Sequence, residues 1–122
     1  MSYLRFRPLL AEALDPRLYT VEFLDWLWMA SQHDERVRFW FSDNAAIVAE
    51  VRAYPSGAKV IHGLAAAGEL GEIVELLIPR AEAWGRAIGC VLAIVESRPG
   101  WARTLRQHGY ERHQQALRKE LD

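Results

Sequence analysis

The chain has 122 residues, of which 51% are hydrophobic and 25% charged, with a net charge of −1. This is the size and composition of one globular domain spanning residues 1–122, and the charge balance gives no bulk electrostatic case for nucleic acid or an anionic membrane as partner. The single cysteine, Cys90, excludes an intrachain disulfide and a cysteine-built zinc cage, and within GCVLAIV it reads as a small buried hydrophobe. The opening MSYLRFRPLL lacks a signal-peptide core, and no apolar run approaches a membrane span, so a cytoplasmic protein is expected.

Tyr3 to Arg7 alternates apolar and polar residues up to Pro8, which predicts a short edge strand. Leu9 to Leu14 has room for one or two helical turns, stopped by Asp15-Pro16. Thr20 is placed to cap the next helix, VEFLDWLWMAS, with Glu22 in its first turn. That helix is apolar around more than half its circumference. A helix of this kind packs on two sides or presents one side to a partner. Phe23 and Trp26 lie at the edge of the apolar arc and are the candidate interface residues, for self-association or for a different protein.

Beyond the polar QHDER, the stretch RVRFWF predicts a strand and Ser42-Asp43-Asn44 a tight turn. Ala45 to Tyr54 and Lys59 to Gly63, joined by Pro55-Ser56-Gly57, complete a three-strand antiparallel meander. AAAG then leads into GELGEIVELLIPRAEAWGRAIG. At about 100° per residue, Leu70, Ile73, Val74, Leu77, Ala81, Trp84 and Ile88 share one face. Glu72, Glu75, Glu82 and Arg86 fall opposite. Pro79 lies on the charged side, where water can satisfy the carbonyl it frees, so the segment reads as one kinked helix. VLAIV is continuously apolar, as in a central strand covered on both faces. A short helix follows from Pro99, with Trp101, Ala102 and Leu105 inward and Gly109 as its end. Tyr110 to Leu121 has a polar strand pattern. The sum is an α/β fold, a mixed, mostly antiparallel central sheet with helices on both faces. Trp84 and Trp101 are expected in its core.

This order of elements resembles the GNAT N-acetyltransferase fold over roughly residues 36 to 121. The resemblance implies a Gln/Arg-x-x-Gly-x-Gly/Ala loop whose amides hold a coenzyme A pyrophosphate, followed by two leucines. With Leu76-Leu77 as the leucine pair, Gly68, Gly71 and Ile73 fall on the three key positions, and only Gly71 fits the pattern. Glu69 and Glu72 put carboxylates where the pyrophosphate would lie. Gly109-Tyr110 matches the family's Gly-Phe pair, and the position of its tyrosine acid is Leu105. The combination of WGRAIGC with RPGWARTLRQHGY resembles short GNAT-like proteins of tailed phages and prophages, which implies residence in a bacterial host's cytoplasm or in a virion.

Other residues of types able to do chemistry lie outside this loop. His33, His62, His108 and His113 have no metal-ligand spacing, so no metal is expected. His62, near the end of the third meander strand, is the candidate general base, with Glu50 as the carboxylate beside it. Glu96, at the carboxyl end of VLAIV, is a further candidate, against a plain ion pair with Arg98 or Arg103. Arg98, Arg103, Arg106, His108 and Arg112 form either a phosphate-binding stretch or a solvated helix face. Ser42, Ser56 and Ser97 lack a nucleophile-elbow context. Two readings follow. One is a non-catalytic binding or assembly module that binds no cofactor, carries a degenerate acetyl-CoA loop and has a protein partner, with the virion implied by the phage resemblance as one setting. The alternative is an acetyl-CoA-dependent N-acetyltransferase with an atypical pyrophosphate loop.

Overall fold

The computed structural model describes residues 2–34, 36–96, 99–114 and 116–121. Helix α1 runs Ser2–Ala13, and α2 runs Val21–Ser31. Strands β1 (Val37–Phe41), β2 (Ala45–Ala53) and β3 (Lys59–Gly68) form the antiparallel meander. A helical run follows in three pieces: α3 (Leu70–Glu72), a π turn (Ile73–Leu77) and α4 (Ile78–Ala87). Strand β4 (Cys90–Val95) pairs parallel with β3, and α5 spans Pro99–Arg106. The sheet order is β1-β2-β3-β4. Among the described residues no helix is long and apolar enough to cross a membrane.

Each face of the sheet carries its own core. On one side α1 and α2 bring Tyr3, Phe6, Leu10, Leu24 and Leu27 onto Phe39 and Val48. On the other, Ile73, Val74, Leu77, Ile78 and Ala81 cover Ile47, Ala49 and Ile61. The second helix begins as expected, with the Phe23 amide donating to the Thr20 hydroxyl at 3.1 Å.

Several expectations are corrected. The Tyr3–Arg7 strand is the first half of α1. Tyr3, Phe6 and Leu10 recur at helical spacing and are all buried, and four alternating residues fit either period. Pro8 is exposed within that helix, so the carbonyl of Leu4 that it leaves without a donor lies on the outer side. The kink of the long helix is the π turn ahead of Pro79, closed by the Ile78 amide donating to the carbonyl of Ile73. A π turn advances each residue by less than the α-helical angle, which rotates the following turns. Gly85 thereby turns inward, where an added Cβ would lie 3.4 Å from Ile61, while Trp84 becomes half-buried against Trp40 at 5.4 Å. Trp101 is likewise half-buried rather than enclosed, and so is Cys90.

The apolar strand VLAIV is an edge strand, with β3 as its only partner among the described residues, and Val91 and Leu92 are 67% and 56% exposed. No final strand forms either. Among its described residues the segment from Tyr110 to Leu121 is irregular, and those from Glu111 onward are exposed. Its apolar residues are too few to bury a strand face, and Leu117 is 88% exposed. Arg118 instead pairs with Asp15 at 2.9 Å, and Arg17 with Glu120.

Leu77 is fully buried under the sheet, whereas Leu117 lies on this tail. Chemical denaturation should show a loss of about 2–5 kcal/mol for Leu77→Ala and a change within about 0.5 kcal/mol for Leu117→Ala.

Candidate functional site

β3 and β4 part company halfway along. Their last pair is Gly63 with Val95, yet β3 continues to Gly68 beside β2. The cause lies in the β2–β3 register, where Val48 faces Ala65 and Ala49 faces Gly63, so Leu64 is passed over. Such a bulge puts two consecutive side chains on one face and bends its strand. Leu64 and Ala65 both pack toward the α1–α2 core, while Ala66 packs toward α4. The resulting fork holds a cavity of about 130 Å³, lined by β3 from Gly63 to Ala66 and by Ile47, Ile73, Trp101 and Tyr110. The Tyr110 hydroxyl donates to Glu82 at 2.6 Å, and burial followed by that carboxylate pushes its pKa up.

The helical run starts immediately beyond the fork. Gly68, with φ of 104°, closes β3 in a conformation that favours glycine, and an added Cβ would lie 2.1 Å from the Asn44 carbonyl oxygen. Two of the amides that open α3 are already taken. Gly71 and Glu72 donate to the two carboxylate oxygens of Glu69 at 3.1 and 2.9 Å. The Ile73 amide donates to the Glu69 carbonyl at 3.1 Å. Glu72 in turn accepts from the backbone and side chain of Asn44, each at 3.0 Å. Ser42 and these Asn44 donors hold its carboxyl below the usual range. The Ile73 side chain is fully buried in the core. Of the three candidate cofactor positions, Gly68 is a strand end, Gly71 donates to Glu69 and Ile73 is core. A helix start that ordinarily attracts an anion is here occupied by the chain's own carboxylate. The Glu69 carboxylate thus stands where an anion at this helix start would accept from those two amides.

His62 lies one residue before the fork. Ile61 packs toward α4, so alternation puts His62 on the α1–α2 face. Glu50 stands directly opposite it on β2. The carboxylate of Glu50, however, accepts from Arg52 at 2.7 Å, and the partner of His62 is Tyr54, whose hydroxyl lies 2.8 Å from Nε2. His62 is buried, and desolvation, followed by Arg52, holds its pKa below the usual imidazole value. Tyr54 was not singled out from sequence. The signal available was its position across the Pro55-Ser56-Gly57 turn from His62. Glu96 is exposed and lines the cavity just past β4. The suggested Glu96 partner Arg98, and Ser97, lie outside the described residues. Phe23 and Trp26 lie on α2 in a stack with Tyr19, the ring centroids 5.3 and 6.2 Å apart, Tyr19 and Trp26 exposed and Phe23 half-buried against the α1–α2 core. Trp26 is 60% exposed.

No protein-family model and no curated protein matches the sequence. Solved structures do match the fold. Glucosamine-6-phosphate N-acetyltransferase from Arabidopsis thaliana superposes with a TM-score of 0.69 at 12% identity, over 96% of this chain and 89% of that one. The aminoglycoside N-acetyltransferase AAC(6')-Iy in complex with CoA gives 0.70 at 14% identity, over 98% and 89%. A transcriptional regulator from Bacillus halodurans gives 0.71 at 14% identity, over 96% and 91%. The chain therefore has the GNAT fold, shared mostly with acetyltransferases.

The pH response of His62 tests its environment. Its pKa is lower folded than unfolded, so the unfolded chain takes up the proton first. The contribution of the neutral ring is intact above about pH 6.5 and is lost as pH falls toward the folded value. Tyr54, Arg52, Glu50, Glu96 and His113 are the titratable or charged groups around it. The ring carbons of His62 should titrate below the ordinary imidazole value of about 6.5 by NMR. A midpoint above that value would contradict the desolvated site.

Proposed function

We propose that this chain is a GNAT-fold binding or assembly module that works without coenzyme A. The observation that carries this reading is the closure of the helix start by Glu69. In a site made for a pyrophosphate those amides would be the anion's donors. Here they are satisfied by a carboxylate, and Glu72 adds a second negative charge beside them. Calorimetry at millimolar acetyl-CoA should give no heat of binding. A micromolar dissociation constant would restore the second reading, an acetyl-CoA-dependent N-acetyltransferase with an atypical loop. That reading draws support from the fork and its cavity. A place among virion proteins rests on the WGRAIGC and RPGWARTLRQHGY resemblance alone.

A module needs a face, and the Tyr19–Phe23–Trp26 stack supports one on α2. Exposed aromatic anchors concentrate binding energy. In the simplest case the face meets a second copy. Sedimentation velocity should then show an oligomer that Trp26→Glu converts to monomer with unchanged circular dichroism. An unmodified protein that is monomeric at high concentration would rule out self-association.

A further inference from the structure

The fork presents more than a cavity. Among the described residues, β3 from Leu64 to Gly68 is paired on its β2 side only, since its pairing with β4 ends at Gly63. At ~3.3 Å per residue this leaves about 16 Å of open strand edge. An unpaired edge is a template for another extended backbone. The cavity begins at the same residues, so a chain paired there would have a side-chain pocket beside it.

The size and charge of that pocket restrict what it takes. Its volume is about 130 Å³, and Ile47, Ile61, Ile73, Ala81 and Trp101 make its walls apolar. For comparison, an apolar cavity of about 150 Å³ accepts benzene. One aliphatic side chain is the matching occupant. Two charged residues line the cavity, Glu82 and Glu96, and both are carboxylates. Glu82 is engaged by Tyr110 at 2.6 Å and lies 3.9 Å from Arg86. Glu96 is at the exposed rim. A carboxylate rim around an apolar pocket complements a cationic flank on the incoming segment.

We infer that the fork between β3 and β4 receives an extended polypeptide segment of a partner protein, which pairs along Leu64–Ala67, inserts one aliphatic side chain into the cavity and carries Lys or Arg next to it. This rests on the module reading above, because coenzyme bound in the fork would compete for the same space. The partner is recognised mainly through its backbone, with one pocket and one charge setting the choice of sequence.

The test uses an mRNA-displayed library of random eight-residue segments in a fixed Gly/Ser frame, selected on the full chain. Enriched sequences should share one aliphatic residue flanked by Lys or Arg. A synthetic copy of the best should shift the backbone amides of Leu64–Ala67 in NMR. Its dissociation constant should rise at least tenfold in Ala66→Leu, which fills the cavity, and in Glu96→Lys, which reverses the rim. Should Ala66→Leu lose its circular dichroism signal, the exposed Glu96→Lys decides the matter. No enrichment, or equal affinity for the wild type and Glu96→Lys, overturns the inference. Acetyl-CoA is titrated in parallel. If it binds with micromolar affinity the module reading falls. If it is silent and no peptide is enriched, only the fork inference falls.

Discussion

The passing-over of one residue, Leu64, in the pairing of β2 with β3 shapes everything near the candidate site. Upstream of it β3 runs beside β4. Downstream it follows β2 alone, and the space between becomes the cavity. The exchange is energetically coherent. Leu64 and Ala65 both bury toward the α1–α2 core, so the bulge loses regular pairing but keeps apolar contact. It also carries β3 to Gly68, whose left-handed conformation turns the chain into the helical run. The hairpin and the helix start are thus tied, since the Glu69 amide donates to the Asn44 carbonyl at 2.9 Å.

The π turn performs a similar adjustment in the helical layer. A regular helix through Pro79 would clash with the carbonyl of Glu75. The wider turn from Ile73 to Leu77 precedes the proline and lets α4 restart with it near its first position. The same rotation brings Gly85 against Ile61 and Cys90, a close approach that a larger residue would obstruct. Trp84 is left at the margin, with the Arg38 guanidinium 5.7 Å from its ring centroid.

What could be read from the sequence were the features fixed by local pattern. The cap at Thr20, the hairpin turns and the apolar phase of the helical run from Leu70 to Ala81 each depend on neighbouring residues. The misread features depend on partners distant in sequence. Whether VLAIV is central or at an edge is settled by whether another strand joins it, and its composition is the same either way. The pairing of His62 with Tyr54 is set by hairpin register, and a one-residue slip would separate them. α1 was hidden for a different reason. Pro8 and a four-residue alternation both suggest a strand, and only Tyr3, Phe6 and Leu10 taken together show the longer period.

Glu69 and Glu72 stand between these cases. Their sign was visible in the sequence, but their geometry was not. A carboxylate near a helix start can remain in solvent and merely repel an anion. Glu69 does more, because its two oxygens accept from two successive amides and so replace the anion with a covalently attached one. An external phosphate would have to displace that carboxylate and then sit beside it. The intramolecular ligand has no association entropy to lose, whereas the external one does. On the proposed reading one side chain closes this helix start to an external anion, and the strand fork next door is the open feature of the site.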